Sequence, residues 1–131
     1  MRIAIAATGN ELSSAMSFPF GRCQFFVVVE VEGDEVRLVK AVENIAQAQR
    51  GGAGITAAQL VGDEKVDAVV AGAFGPRAFG VLSELGVKML IGAEGTVEEN
   101  ARKAAAGGLE EVASPGAMGP GAGKGFGQGK C

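Results

Sequence analysis

The adjacent residues Arg22 and Cys23 have the side chains in this sequence that are best suited to holding a ligand. A guanidinium binds an anion through two parallel hydrogen bonds. A thiolate is a ligand for soft metals, and a neighbouring arginine favours the thiolate over the thiol. Each residue also has a simpler interpretation, since a surface arginine often pairs with an acid and a free cysteine is often a small buried hydrophobic residue. We therefore treat Arg22 as a candidate anion ligand and Cys23 as a candidate metal ligand.

Glycines form a second group of candidates, because they follow apolar runs or precede predicted helices. Gly72 and Gly75 follow the run Val66–Ala71, and Gly92 follows a second run that ends at Ile91. In an open α/β sheet the loops that leave the carboxyl ends of strands hold the ligand, and glycine lets a bulky group approach the backbone. Alternatively, these glycines only turn the chain. The candidates of this kind are Gly51, Gly52, Gly54, Gly72, Gly75 and Gly92, together with Thr8 at the end of the first predicted strand.

The glycine-rich run at positions 51–54 is followed by a predicted helix. Backbone amides and the helix dipole at such a position favour an anion. No Lys-Ser or Lys-Thr pair follows the run, so it does not match a phosphate-binding loop. A flexible loop that turns sharply is the alternative, and the sequence leaves both interpretations open.

The sequence offers few residues for catalysis. It contains no histidine, which removes the usual general base and the commonest metal ligand. No serine lies in the strand–turn–helix elbow of an acyl-transfer nucleophile. A two-metal nuclease needs carboxylates on its central strands, whereas Asp67 lies at the start of its strand and not at the end. We therefore predict a binding protein and not an enzyme.

The elements that position these residues follow from apolar periodicity. Strands 2 and 3 flank a turn at 32–34 and predict an antiparallel hairpin, and the later strands alternate with helices and predict parallel pairing. Gly86 is predicted to cap the second helix, and Thr96 and Glu99 to form a capping box on the third. The fold class is α/β, with a five-stranded mixed sheet in the order 3-2-1-4-5 and helices on its faces. The predicted strands are residues 2–8, 24–31, 35–42, 66–71 and 87–91, and the predicted helices are 55–61, 76–85 and 97–106.

Length and composition limit the partners. A chain of 131 residues fits one domain, and a net charge of −3 without Trp or Tyr gives no sign of a nucleic-acid-binding surface. No apolar segment is long enough to cross a bilayer and the first residues lack a signal-peptide layout, so we expect a cytoplasmic protein without membrane contact. We predict one domain over 1–112 and a disordered glycine-rich tail over 113–131. Cys131, at the end of that tail, is either a free end or a ligand for a soft metal.

Several motifs, taken in order, resemble the dinitrogenase iron-molybdenum cofactor biosynthesis family. The residues FPFGR at 18–22, followed by an apolar strand, resemble its phenylalanine–glycine–arginine motif. The resemblance covers the chain from Met1 to about Glu110 and implies a ribonuclease-H-like, three-layer α/β fold. It also implies a role related to nitrogen fixation, in carrying or assembling metal-sulfur clusters. The other matching segments are Asn44 and residues 51–54, 66–71, 75–78 and 85–87.

The resemblance also suggests the ligand. An iron-sulfur or iron-molybdenum cluster is large and anionic, so the glycine loops with Arg22 and Arg77 beside them would hold it. In the family, cluster binding is associated with histidine or cysteine, and Cys23 stands where a small residue such as alanine is common. We expect a small non-enzymatic carrier or chaperone whose partners are metal-cluster assembly proteins. The alternative is a protein-interaction module without a ligand, which uses the edge of strand 3 or the tail. The sequence leaves the oligomeric state undetermined.

Overall fold

A six-stranded mixed sheet forms the centre of the protein in a computed structural model that describes residues 1–113. Its spatial order is β3-β2-β1-β4-β5-β6. The neighbours β1, β4 and β5 run parallel, whereas β2, β3 and β6 each pair antiparallel. The predicted tail, from residue 114 onward, lies outside the described residues. The strands are β1 (Arg2–Ala7), β2 (Phe25–Glu32), β3 (Glu35–Glu43), β4 (Ala68–Ala71), β5 (Lys88–Ile91) and β6 (Glu110–Glu111).

The prediction of five strands was wrong, because β6 extends the sheet beyond β5. Glu111 pairs with Leu90 and Glu110 with Ile91. Both residues of β6 are charged and exposed, so the sequence shows neither an apolar run nor an alternation at this place. The amide of Val112 then donates to the Met89 carbonyl at 2.8 Å, which continues the pairing along β5. The order of the first five strands is confirmed.

Helices cover both faces of the sheet, as predicted. The helices α1 (Ala53–Asp63) and α2 (Pro76–Glu84) pack on one face, and α3 (Val97–Ala105) packs on the other. Alternation along β1 places Ala4 and Ala6 towards α1 and α2, and Ile3, Ile5 and Ala7 towards α3. This mixed sheet with helices on both faces agrees with the predicted three layers, and the ribonuclease-H-like name for it stays a prediction.

The helix ends agree with most of the predicted signals. Gly86 follows α2 with a φ of 74°, and the capping box of Thr96 and Glu99 is present. The prediction was wrong at the first helix, since α1 begins at Ala53 and therefore contains Gly54. A short 3₁₀ helix, Ile45–Ala48, also lies between β3 and α1, where no helix or strand was predicted. Within residues 1–113, no helix has the length and apolar character needed to span a bilayer.

Candidate functional site

The carboxyl ends of β1, β4 and β5 lie together at one edge of the sheet, which we call the carboxyl edge. Thr8, Gly72 and Gly92 each directly follow one of these strands, so the structure brings them to the edge as predicted. The helix α2 begins there because it directly follows the loop after β4. The start of α1 lies beside it, since a Cβ at Gly54 would contact the Ala78 Cβ at 3.5 Å.

The chain itself fills part of this edge, through the segment at residues 9–20. The Phe18 carbonyl accepts hydrogen bonds from the amides of Gly72 and Ala73, at 2.8 and 2.9 Å. A Cβ at Gly72 would overlap the ring of Phe18, and a Cβ at Gly92 would overlap the sulfur of Met16. These two glycines therefore make room for the protein's own side chains, whatever ligand the edge binds.

The open part of the carboxyl edge lies where α1 and α2 begin. Gly52 and Gly75 are the N-cap residues, and neither helix has a side-chain hydrogen bond at its N-cap or an acidic residue in its first turn. A Cβ at Gly51, Gly52 or Gly75 would meet open space. No side chain caps these two neighbouring helix starts, so their first-turn amides are candidate donors to an external acceptor, apart from Pro76, which has no N–H.

The start of α3 lies at the same edge, on the other face of the sheet, and unlike those of α1 and α2 it is capped by side chains. The Thr96 hydroxyl accepts a hydrogen bond from the Glu99 amide at 3.1 Å, and the Glu99 carboxylate accepts one from the Thr96 amide at 2.9 Å. Glu98 adds a second carboxylate to the first turn. Each helix start carries the positive end of the helix dipole. In α3 the protein's own carboxylates already lie at that end, whereas in α1 and α2 none does, so these two helix starts favour an anion.

Two arginines flank the open helix starts. Arg77 is the second residue of α2, and Arg50 directly precedes the glycine run that leads into α1. Both side chains are exposed, and neither takes part in a salt bridge with another residue of the described chain. Sequence reasoning missed Arg50, although its position directly before the glycine run indicates a basic side chain near the start of α1.

Arg22 contacts the protein's own backbone. Its Nη1 donates to the carbonyl oxygen of Gln47 at 2.9 Å and also to that of Gln49. Both carbonyls lie at the end of the 3₁₀ helix. A direct contact between Arg22 and an anion stays a prediction.

Cys23 lies in the hydrophobic core, with 1% of its surface exposed. The Asn44 amide nitrogen donates to the Cys23 carbonyl at 2.8 Å and lies 3.8 Å from its sulfur. Burial raises the pKa of the thiol to about 12, so it is protonated at neutral pH. Among the described residues, no three or more His, Cys, Asp or Glu side chains form a group that could hold a metal ion. These observations favour the simpler interpretation of Cys23, and its role as a metal ligand stays a prediction.

Asn100 fixes the loop after β5, and sequence reasoning missed it. Its Oδ1 accepts from the Ala93 amide at 2.8 Å, and its Nδ2 donates to the carbonyls of Ala93 and Thr96 at 2.9 and 3.0 Å. The side chain is 1% exposed. An asparagine in the first turn of a helix that already has a capping box is the local signal for such a residue.

The substitution Asn100→Ala is expected to lower the free energy of unfolding by about 2–3 kcal/mol, because it leaves buried backbone groups of the loop without partners. Urea denaturation of the variant and the original protein measures the difference. The exposed Asn10→Ala is the matched control, with an expected change within about 0.5 kcal/mol. Equal effects of the two substitutions would contradict the assigned role of Asn100.

Comparisons with known proteins assign this chain to a family. The family model described as dinitrogenase iron-molybdenum cofactor matches residues 1–107. The structure is similar to that of the apo form of the orange protein from Desulfovibrio gigas, with a TM-score of 0.78 and 32% identity over 87% of this chain and 94% of that one. It is also similar to a Thermotoga protein described as a NifB protein, with a TM-score of 0.66 and 32% identity over 84% of this chain and 91% of that one.

A curated relative gives the same result at the level of sequence. An uncharacterized protein of Methanocaldococcus jannaschii is 36% identical over 87 residues, which are 66% of this chain and 70% of that protein. The residues that the family model matches include β1, β4 and β5, together with the glycine loops and the helix starts of the carboxyl edge. The chain therefore belongs to the dinitrogenase iron-molybdenum cofactor family.

Proposed function

We propose that this protein is a small non-enzymatic carrier that binds a metal-sulfur cluster, or a related anionic ligand, where α1 and α2 begin. The observation that carries the proposal is the contact between two helix starts that both lack a side-chain cap and an acidic first turn. The family description supports the iron-molybdenum class of ligand. Metal-cluster assembly proteins are the partners that would deliver and receive such a ligand.

The donor groups at this place suit an anion that arrives already assembled. Backbone amides and the guanidinium of Arg77 donate hydrogen bonds, which the sulfide or oxide ligands of a cluster accept. A bare metal ion needs thiolate, imidazole or carboxylate ligands, and Cys23 is buried and protonated. The proposed cargo is therefore a preassembled cluster with its own sulfide or oxide ligands, such as an iron-sulfur or iron-molybdenum cluster.

The alternative of a protein-interaction module has less support. It would use the tail, which lies outside the described residues, or the free edge of β3, which carries the exposed charges Arg37 and Lys40. The pairing of β2 with β3 also has an irregularity between Val28 and Val29. Charges and bulges on an edge strand discourage pairing with another chain.

Arg77→Glu tests the proposed site. Tetrathiomolybdate is titrated into the protein without oxygen, and binding is followed by the change in charge-transfer absorption. We expect the substitution to raise the Kd about tenfold or more, because a hydrogen bond to a charged group contributes about 1.5–3 kcal/mol. Arg37→Glu makes the same change of charge on β3, away from the helix starts, and is expected to leave the Kd nearly unchanged.

Reconstitution with iron, sulfide and molybdate under reducing conditions tests the ligand class. The protein is desalted afterwards, and retained metal and visible absorption are measured. Retention of metal with charge-transfer absorption supports the proposal. The absence of both this absorption and tetrathiomolybdate binding would overturn the proposal. Equal losses of tetrathiomolybdate affinity in the Arg37→Glu and Arg77→Glu variants would also overturn it.

A further inference from the structure

The turn that contains Arg22 is tied to the start of the 3₁₀ helix by Asn44. This residue is 3% exposed and is the N-cap of that helix, with its Oδ1 accepting from the Ala46 amide at 3.1 Å. Its Nδ2 donates to the carbonyls of Gly21 and Cys23, at 3.2 and 2.8 Å. The positions of the turn and the helix start are thus coupled through one buried amide.

Arg22 ties the same turn to the end of the 3₁₀ helix. Its Nη1 donates to the carbonyls of Gln47 and Gln49, which lie at and just beyond the last residues of that helix. Carbonyls at a helix end lack partners within the helix. One guanidinium therefore supplies a donor to two such groups.

The connection continues from Gln49 into α1. The Gln49 Oε1 accepts from the Thr56 hydroxyl at 3.1 Å, in the first turn of α1. The backbone of Gly21 also lies against Gly54, since a Cβ at Gly21 would be 3.3 Å from the Gly54 Cα. The turn at Arg22, the 3₁₀ helix and the start of α1 are therefore one connected unit.

We infer that Arg22 is a positioning residue, whose guanidinium holds the end of the 3₁₀ helix so that the glycine run presents the amides of α1 to the ligand. This inference rests on the proposed function for its purpose, and on the contacts of Arg22 for its geometry. Gly51 and Gly52 have large conformational freedom, and Gly52 has a φ of 73°. Fixing the backbone on both sides of these glycines lowers the entropy that ligand binding would otherwise lose.

Hydrogen exchange in the ligand-free protein tests the inference directly. The informative amides are those of Gln49, bonded to the Ala46 carbonyl at 3.0 Å, and Thr56, bonded to the Gly52 carbonyl at 3.0 Å. Arg22→Lys keeps the charge but shortens the side chain and removes the planar Nη1 group that donates to the carbonyls of Gln47 and Gln49, so we expect both amides to exchange about tenfold faster. Arg37→Lys, on β3 and away from the helix starts, is the matched control and is expected to leave both exchange rates unchanged.

A second variant, together with the sheet amides of β4, separates a local effect on α1 from a loss of overall stability. Thr56→Val removes only the link from α1 to Gln49, and it is expected to speed exchange at Thr56 less than Arg22→Lys does. Unchanged exchange in the Arg22 variant, with the sheet amides of β4 equally protected, would overturn the inference. Failure of the original protein to bind tetrathiomolybdate would overturn the proposed function instead, because the exchange experiment contains no ligand.

Discussion

Phe20→Ala is expected to lower the free energy of unfolding by about 3–5 kcal/mol, the range for deletion of a buried aromatic ring. The Phe20 ring is 1% exposed. Its centroid lies 5.1 Å from that of Phe26 and 5.2 Å from that of Phe74. The substitution would leave a cavity between β2 and the loop that precedes α2. Urea denaturation monitored by circular dichroism measures the loss.

Phe18→Ala is the matched control, two residues earlier in the same motif. The Phe18 ring is 44% exposed and lies over Gly72. Because much of this ring already contacts solvent, the expected loss is about 1 kcal/mol or less. Equal losses for the two variants would contradict the expectation that the greater burial of the Phe20 ring causes its larger effect.

In a Cys131→Ser background, Cys23 is expected to react with iodoacetamide at pH 8 about a thousandfold more slowly than an exposed cysteine, because only the thiolate reacts. The chain has two cysteines, so this background leaves Cys23 as its remaining thiol. Burial raises the pKa of Cys23 to about 12 and also blocks access of the reagent. Mass spectrometry of the alkylated protein, with and without denaturant, gives the two rates.

The same raised pKa gives a direction to the pH dependence of stability. In the unfolded chain the thiol titrates near its ordinary pKa of about 8.5. Between that pH and about 12 the unfolded state binds fewer protons than the folded state, so stability falls as pH rises. Cys23→Ala is expected to show a shallower fall over this range. Rapid alkylation of the folded protein would instead show an accessible thiolate, and would favour the metal-ligand interpretation of Cys23.

Local patterns in the sequence were sufficient to predict most of the strands and helices of the fold. The alternation along Ile3–Ala6 and the run Val66–Ala71 predict buried strands because burial on each face has a strict period. The capping box at Thr96 is equally local. The strand β6 has no such signal, since two glutamates pair only because β5 offers a free edge to the chain that follows α3.

The candidate site was predictable in position but not in detail. Topology alone brings Gly72 and Gly92 to the carboxyl edge. Whether a glycine there is open or filled depends on the path of the segment at residues 9–20, which has no periodicity. The partners of Arg22 were also unpredictable, because its acceptors are backbone carbonyls more than 20 residues away, and every residue has a carbonyl.

The hydrogen bonds between α3 and the segment at residues 9–20 make the two faces of the carboxyl edge different in the donors that they offer to an anion. The amides of Val97 and Glu98 already donate to the carbonyls of Ser14 and Leu12, at 2.9 and 3.0 Å. An anion that approaches from the α3 face therefore meets occupied donors and two carboxylates, whereas one that approaches from the opposite face meets open amides and Arg77. Under the proposed function, a cluster would therefore enter and leave from the face of α1 and α2, and a partner that exchanges it would dock over the starts of these two helices.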